Sequence, residues 1–448
     1  MDATALSQAI TEGRTSARAV MDTTLSACHA QADLGAVARM LPEAELPEAQ
    51  DGPINGVPIL AKDLGSAARG LMPAAGSPVI RALLPDPAED SPFFRRLRGT
   101  GAVSIGLSAV PEMGFALTTQ PAGSPPARNP FNRALTPGGS SGGAAAAVAA
   151  GLVAMAHATD AAGSIRVPAA CCGLWGFKPS RGATPMGPDF SNHLMGITGE
   201  GVLARSLRDV VPAFHATRGA ARGPYPEAAG RNGVTRIGLA LSERCDRDVR
   251  AATRVVADLF TKAGVEVLPV PAPDALGHRC HAEIAATILR LAMAEGLDAL
   301  GIPDTDVSPI ISATAAEGRA IPGTTVFALD RAIAQLSHDA WRLFEGCDAI
   351  LMPVLSGPPP AFDAFDFAAR DVGGHLAAME AVAPNAAIAN VCGLPALAVP
   401  AGMTDDLPVG VQVMGPIGSD DAILSLAARI TDALPLIPYP APIAGMPL

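Results

Sequence analysis

The sequence predicts an α/β fold in which a β-sheet is covered by helices on both faces. Short runs that are apolar throughout recur along the 448-residue chain, and segments with helical periodicity lie between them. Uniformly apolar strands are typical of sheets that are covered on both faces. Because 49% of the residues are hydrophobic, the chain can bury a large core, which excludes a disordered protein.

The elements follow from the same patterns in chain order. Apolar positions at helical spacing predict a first helix over residues 4–30. Strands are predicted at residues 57–61, 102–107, 152–158, 237–241, 265–270, 349–354, 397–399 and 409–413. Helices are predicted at residues 246–262, 281–295, 329–344 and 421–434. The alanine-rich stretch 144–158 is interpreted as a buried helix and strand, because it contains His157 and is followed at once by Asp160.

Charge, the N-terminus and the cysteines exclude several classes of protein. The net charge of −11 without a long basic run argues against a nucleic-acid partner. No basic start followed by an apolar stretch opens the chain, so we expect a cytoplasmic protein without a membrane partner. The seven cysteines are scattered without metal-ligand spacing, which predicts reduced thiols and no metal site.

Two adjacent serines lie in a glycine-rich turn, TPGGSSGG at residues 136–143, directly before the alanine run. Glycines permit close backbone packing there, and the hydroxyls of Ser140 and Ser141 project from the same turn. A flexible linker is not normally joined on both sides to buried apolar segments. A phosphate-binding loop needs a GK[ST] sequence, which is missing from this turn.

A third serine, Ser164, follows small residues in the turn TDAAGSIRVP at residues 159–168. A lone serine in a turn is usually a cap or a turn former. Here the amides of Ala161, Ala162 and Gly163 can point at one anionic oxygen, as in an oxyanion hole. This arrangement indicates a nucleophilic serine.

A serine nucleophile needs a base, and the histidines show neither a Ser-His-Asp ordering nor a Gly-x-Ser-x-Gly elbow. Lys62 ends an apolar predicted strand, where burial lowers the pKa of an amine and favours its neutral, basic form. Taken alone, a lysine is more often a surface cation. The combination with the two serine turns favours a catalytic amine.

Together these segments resemble the amidase signature family of hydrolases. The resemblance covers nearly the whole chain and includes residues 111–130, 136–182, 204–209, 393–402 and 407–412. It implies the amidase-signature fold, a large central mixed β-sheet covered by helices on both faces. It further implies a single domain over residues 1–448 with a catalytic core at about 50–215, no metal or organic cofactor, and a homodimer.

The resemblance also implies a role for each motif residue. Ser164 is the nucleophile, and Ser140 bridges it to Lys62 in a Ser-cisSer-Lys triad. The implied oxyanion-hole amides are those of Ala161, Ala162, Gly163 and Ser164. Ser141 is expected to support Ser140 by hydrogen bonding, and Asp160 and Arg166 to fix the nucleophile loop, although an ordinary ion pair explains these two charges equally well.

Two departures from the family pattern bear on activity. The family usually has glycine where Ala162 stands, so a turn that needs a positive φ at this position would be strained. Residues 106–110 read GLSAV, where relatives commonly carry Lys-Thr-Asn after the glycine. Residues 118–121, 156–160 and 171–175 most resemble the branch that contains 6-aminohexanoate cyclic-dimer hydrolase and related amidases. That branch usually has glutamate at the position of Gln120.

The predicted function is hydrolysis of a small linear or cyclic carboxamide through an acyl-enzyme. Candidate pocket residues, chosen by their placement in loops near the motifs, are Met113, Gln120, Phe190, His193 and Met195. Two alternatives stay open. One is the glutamine-hydrolysing component of an amidotransferase, and the other is a non-catalytic binding protein that keeps the fold.

Overall fold

A computed structural model describes residues 2–48, 50–185, 193–219 and 233–446. These residues contain one eleven-stranded sheet. Its strands, numbered in chain order, are β1 (Val37–Met40), β2 (Pro58–Lys62), β3 (Val103–Ser108), β4 (Met155–Asp160), β5 (Trp175–Lys178), β6 (Gly199–Ala204), β7 (Arg236–Ala240), β8 (Glu266–Val270), β9 (Ala349–Pro353), β10 (Ala396–Thr404) and β11 (Leu407–Met414). Their order across the sheet is β1-β3-β2-β4-β6-β5-β10-β11-β9-β7-β8.

The sheet is mixed, and its parallel part positions the motifs. Strand β2 runs parallel to both β3 and β4, whereas β4 pairs with β6 in the antiparallel sense. Carboxyl ends of parallel neighbours meet at one edge of a sheet. Lys62 at the end of β2 and Asp160 at the end of β4 therefore leave the sheet side by side.

Helices cover both faces of this sheet. They are α1 (Ala3–Thr11), α2 (Ala17–Ala30), α3 (Pro78–Leu83), α4 (Pro92–Arg98), α5 (Gly142–Ala149), α6 (Arg166–Cys171), α7 (Leu207–Thr217), α8 (Arg247–Lys262), α9 (Asp274–His278), α10 (Ala286–Leu300), α11 (Pro309–Arg319), α12 (Thr324–Ala340), α13 (Val372–Val382), α14 (Ala386–Val391) and α15 (Asp420–Ala428). A π-helical segment, Arg279–Ala285, leads into α10. The predicted α/β class and the helical cover on both faces are confirmed.

Strand residues alternate between cores on the two faces. In β2, Ile59 and Ala61 contribute to one hydrophobic core, while Leu60 contributes to the other. This alternation is the two-residue period of a strand, and it explains why β2 is apolar throughout. None of the described helices is long and apolar enough to cross a membrane.

Several predicted boundaries differ from the structure. The single helix predicted over residues 4–30 is wrong, because α1 and α2 are separate helices. Gly13 has a φ of +70° after α1, and the Ser16 side chain accepts a hydrogen bond from the amide of Ala19 as the N-cap of α2. The strand predicted at residues 152–158 begins only at Met155. Strands β1, β5 and β6 were not predicted.

Candidate active site

The glycine-rich turn at residues 136–143 places its two serines directly before α5. The peptide bond between Gly139 and Ser140 is cis, and both serine side chains are buried. The Ser141 hydroxyl donates to the carbonyl of Thr159 at 3.2 Å, so any support it gives Ser140 is indirect. The Ser141 amide donates to the carbonyl of Ser164 at 3.3 Å, which joins this turn to the nucleophile loop.

The predicted base, Lys62, is fully buried at the end of β2. Its Nζ lies 2.8 Å from Ser140 Oγ and 2.8 Å from Thr159 Oγ1, and it also contacts the Thr159 carbonyl at 3.3 Å. Three oxygens thus surround the amine. Thr159 was not predicted as a site residue, although it stands beside Asp160 in the quoted motif.

Burial sets the ionisation of this amine. Loss of solvent disfavours the charged form and lowers the pKa of Lys62 to about 7, while the negative charges of Asp160 and Glu200 act in the opposite direction. A lysine with an ordinary pKa of 10.5 is almost wholly protonated at neutral pH. At a pKa near 7, a large fraction of Lys62 is neutral and able to accept a proton.

The predicted nucleophile, Ser164, lies in the loop between β4 and α6, and its side chain reaches a cavity that Ser140 also lines. Ser164 is 8% exposed, so the hydroxyl is accessible from this cavity alone. Within the described ranges no hydrogen bond joins the hydroxyls of Ser140 and Ser164. Catalytic hydrogen bonds are often long in unliganded sites and shorten when substrate binds.

The amides of this loop differ in their availability. The Gly163 amide donates to Asp160 Oδ1 at 2.6 Å, so its predicted role as an oxyanion donor does not fit this structure. In the described part of the chain, the amides of Ala161, Ala162 and Ser164 have no such partner. Ala162 is not among the residues with positive φ, and Gly163 takes that conformation at +114°. The strain considered for Ala162 therefore does not arise.

The buried charges beside the loop form a network that fixes its backbone. Arg166 Nε lies 2.9 Å from Asp160 Oδ2, and neither residue is exposed. Asp160 also accepts hydrogen bonds from the amides of Gly163, Ile165 and Arg166. Burial alone raises the pKa of the Asp160 carboxyl, but Arg166 outweighs this and holds that pKa well below its usual range. The pair is an ion pair that also orders the loop.

Two distant residues complete this network. Asn390 donates to Asp160 Oδ1 at 2.9 Å and accepts from Arg166 at 2.7 Å, and Gln412 accepts from Arg166 at 2.8 Å. Asn390 lies in α14 and Gln412 in β11, more than 200 residues along the chain from the loop. Sequence reasoning gave neither a role, although Gln412 lies in one of the matching segments.

The cavity above Ser164 has a volume of about 300 Å³ and is walled mainly by apolar side chains. Helix α10 contributes one wall, formed by Leu289, Ala292, Met293, Gly296, Leu297 and Leu300. The described lining residues include no aspartate, glutamate, lysine or arginine. The site therefore combines a buried amine and two serines with an uncharged chamber. Helical periodicity predicted most of α10 but not which residues face this chamber.

The predicted pocket residues separate into three groups. Met113 and His193 line the cavity. Gln120 and Met195 are not lining residues, because the Gln120 amide donates to Thr118 Oγ1 and to the Phe362 carbonyl, and Met195 packs against a hydrophobic core. Phe190 lies outside the described residues.

The cysteines do not form an alternative catalytic centre. All seven are free and buried. Burial raises the pKa of both Cys171 and Cys172, which disfavours their nucleophilic thiolates. In the described ranges, no group of three or more His, Cys, Asp or Glu residues is placed to hold a metal ion.

Comparisons with known proteins identify the family. The family model described as Amidase matches residues 15–424. A 6-aminohexanoate-cyclic-dimer hydrolase from Paenarthrobacter ureafaciens is 30% identical, over 97% of this chain and 95% of the relative. The A-type chain of the glutamyl-tRNA(Gln) amidotransferase of Thermus thermophilus is 32% identical over 88% of each chain. A solved structure of 6-aminohexanoate cyclic dimer hydrolase has 29% identity and a TM-score of 0.89, covering 98% of this chain and 97% of that one.

The family model spans most of the chain, and the site geometry belongs to the same segments. The large mixed sheet is that of the solved amidases. The chain therefore belongs to the amidase signature family and is a hydrolase that acts on carbon–nitrogen bonds other than peptide bonds.

Proposed function

We propose that this protein hydrolyses a small carboxamide, linear or cyclic, with Ser164 as nucleophile, Ser140 as proton bridge and Lys62 as base. The observation that carries the proposal is the 2.8 Å contact between Lys62 Nζ and Ser140 Oγ beside the cavity that Ser164 reaches. A buried amine with a pKa of about 7 has the ionisation that a general base needs near neutral pH.

In the acylation step, Ser164 Oγ attacks the carbonyl carbon while its proton passes to Ser140 and the Ser140 proton passes to Lys62. The carbonyl oxygen becomes an oxyanion, which the amides of Ala161, Ala162 and Ser164 stabilise. The carbon–nitrogen bond then breaks, and the proton returns from Lys62 through Ser140 to the leaving nitrogen. The product is an amine and a Ser164 ester.

In the second step, water attacks this ester and transfers a proton along the same relay. The acid leaves, and the proton returns to Ser164 Oγ. Neither step requires a group other than the substrate, water and the three side chains. Splitting amide cleavage into two acyl transfers replaces one difficult step by two easier ones.

The lining of the cavity favours an uncharged, largely apolar amide. Free glutamine carries an ammonium and a carboxylate, and a site that binds both ions needs charged partners for them. The described lining residues offer none. The glutamine-hydrolysing component of an amidotransferase is therefore the weaker candidate, although one such protein is a relative. Similarity to cyclic-dimer hydrolases supports cyclic amides as substrates to test.

The first experiment is mass spectrometry of the protein after exposure to a fluorophosphonate, beside the Ser164→Ala variant. We expect one adduct on Ser164 that is missing from the variant, followed by turnover of uncharged linear or cyclic amides by the isolated chain. Lys62→Met is expected to slow the labelling strongly. Folded wild-type protein that takes no label would argue against the proposed nucleophile, and turnover of glutamine alone would favour the amidotransferase function.

A further inference from the structure

A buried histidine and glutamate lie behind the catalytic lysine, and the mechanism above uses neither. His157 lies in β4 and Glu200 in β6, and both side chains are fully buried. Their facing atoms, His157 Nε2 and Glu200 Oε2, are 3.9 Å apart. Among the described residues, neither of these two atoms has a hydrogen-bond partner. Buried polar groups without partners are uncommon, so this pair calls for a functional explanation.

The opposite end of each side chain is attached to the strand end that carries Lys62. His157 Nδ1 accepts the backbone amide of Lys62 at 3.1 Å. Glu200 Oε1 accepts the backbone amide of Ser66 at 2.8 Å. The two side chains therefore hold both ends of the segment 62–66, and Leu64 and Gly65 of this segment line the cavity.

The hydrogen bond at Nδ1 also fixes the tautomer of His157. Because Nδ1 accepts from an amide, it carries no proton, and the neutral ring has its proton on Nε2. That N–H points toward the carboxylate of Glu200. A small movement brings the two atoms within hydrogen-bonding distance, which gives a continuous path from Glu200 through the imidazole to the Lys62 backbone.

The space around Gly65 leaves little freedom in this arrangement. Gly65 has a φ of +103°, and a methyl group there would lie 2.7 Å from Glu200 Oε1 and 2.6 Å from the Thr159 methyl group. The segment after Lys62 is thus packed directly against Glu200. The chain can pass this carboxylate only because residue 65 has no side chain.

Two negative charges act on the Lys62 amine from different strands. Asp160 of β4 and Glu200 of β6 both raise its pKa against the larger effect of burial. His157 is the third ionisable side chain on these strands near Lys62, and its accepting Nδ1 makes it neutral. Asp63 follows Lys62 directly, but its carboxylate accepts the amides of Ala74 and Gly76. Asp160 is paired with Arg166, whereas Glu200 has no arginine or lysine partner among the described residues.

We propose that His157 and Glu200 are positioning residues for Lys62: the imidazole anchors its backbone, and the carboxylate supplies a negative charge that tunes the basicity of its amine. This inference rests on the proposed role of Lys62 as the base. It adds a second layer of control, in which the charge of Glu200 sets the pH range where the amine is neutral.

The sign of the effect follows from the charge. Removing the negative charge of Glu200 leaves burial less opposed, so the pKa of Lys62 falls further in Glu200→Gln. We expect a fall of about one unit, which is the lower end of the effect of a nearby opposite charge. The acid limb of kcat/KM then moves to lower pH by the same amount, and activity at acidic pH rises relative to that at alkaline pH. In Glu200→Asp, which keeps the charge, the midpoint stays closer to that of the wild type.

The chain allows a direct test, because its lysines are Lys62, Lys178 and Lys262 alone. NMR of protein labelled with [¹³C]lysine yields three titration curves, and Lys62→Met assigns the signal of Lys62. Lys178 is the internal control, since it is also fully buried with its pKa lowered to about 7, and the charges that act on it do not include Glu200. A fluorophosphonate labelling rate measured against pH gives a second readout.

We expect the Lys62 midpoint to fall in Glu200→Gln while that of Lys178 stays fixed. His157→Asn keeps an acceptor for the Lys62 amide but loses the Nε2–H group, and is expected to move the midpoint less than Glu200→Gln does. An unchanged Lys62 midpoint in folded Glu200→Gln overturns the inference. If the midpoint moves but no variant or wild type turns over an amide, the proposed function fails while the electrostatic role of Glu200 holds.

Discussion

Lys62 Nζ lies 2.8 Å from Ser140 Oγ, and the amine is wholly removed from solvent. A protonated amine in this place would only donate to the surrounding oxygens. A neutral amine can instead accept the proton that Ser140 receives from Ser164. The proposed chemistry therefore depends on the same burial that makes Lys62 costly to the fold.

The activity is expected to follow the neutral form of Lys62. Because burial lowers its pKa to about 7, kcat/KM should rise tenfold per pH unit below that value and level off above it. Lys62→Met should reduce turnover by about 10²–10⁴-fold, the usual contribution of a general base. Lys178→Met is the matched control, because its amine donates to the Pro179 carbonyl and makes no contact with the two serines. Equal losses in both variants would refute a specific role for Lys62.

Stability should also depend on pH through the buried lysines. The pKa of Lys178 falls from 10.5 to about 7 in the folded protein, with burial as the main cause. Between these values the unfolded state binds more protons, so the contribution of Lys178 to the free energy of unfolding rises with pH, by at most about 1.4 kcal/mol per unit. Urea unfolding of wild type and Lys178→Met at pH 7 and pH 9 checks this. The stability of wild type relative to the variant should be greater at pH 9.

The nucleophile loop should tolerate substitution at one position and not at the next. Gly163 has a φ of +114°, and a methyl group there would lie 2.9 Å from the Ala386 side chain. Gly163→Ala is therefore expected to displace Ser164 and lower kcat about 10²-fold. Ala162→Gly should stay near wild-type activity, because Ala162 needs no positive φ. Comparable kinetics of the two variants would contradict this account of the loop.

The width of the cavity should set which amides are accepted. Gly296 of α10 lines the cavity, and a methyl group added there meets no atom within 4 Å. Gly296→Phe is expected to raise KM for bulky amides at least tenfold and to spare the smallest ones. Gly296→Ala is the control, which should keep the substrate range and gain up to about 1 kcal/mol in helix stability. Steady-state kinetics on a series of amides of increasing size separates these outcomes.

The Arg166 network should be important to folding as well as to the site. Arg166→Met leaves Asp160 buried without its guanidinium partner, which typically costs about 3–5 kcal/mol. Arg319→Met provides the comparison, because Arg319 pairs with Asp298 and Asp304 at the surface and its loss should change stability little. Thermal unfolding of the two variants measures the difference. Similar melting temperatures would mean that the buried pair adds no stability.

Local chemistry was enough to predict the motif residues and the fold class. Ser140 and Ser164 stand among glycines and alanines, and Lys62 ends an apolar strand, so their unusual settings are visible in the sequence. The strands predicted from apolar runs exist because a strand buried on both faces needs such a run. Helix ends depended on single caps and glycines, which is why the break at residues 12–16 was not foreseen.

Only the tertiary structure decided how these residues act together. The parallel pairing of β2 with β4 brings Lys62 beside Thr159, 97 positions along the chain. The amide of Gly163 turns to Asp160 instead of the cavity, and Asn390 and Gln412 reach Arg166 from remote elements. Sequence patterns report whether a residue is buried, because burial depends on its own chemistry. Contacts between distant segments depend on strand order and register, which no local pattern contains.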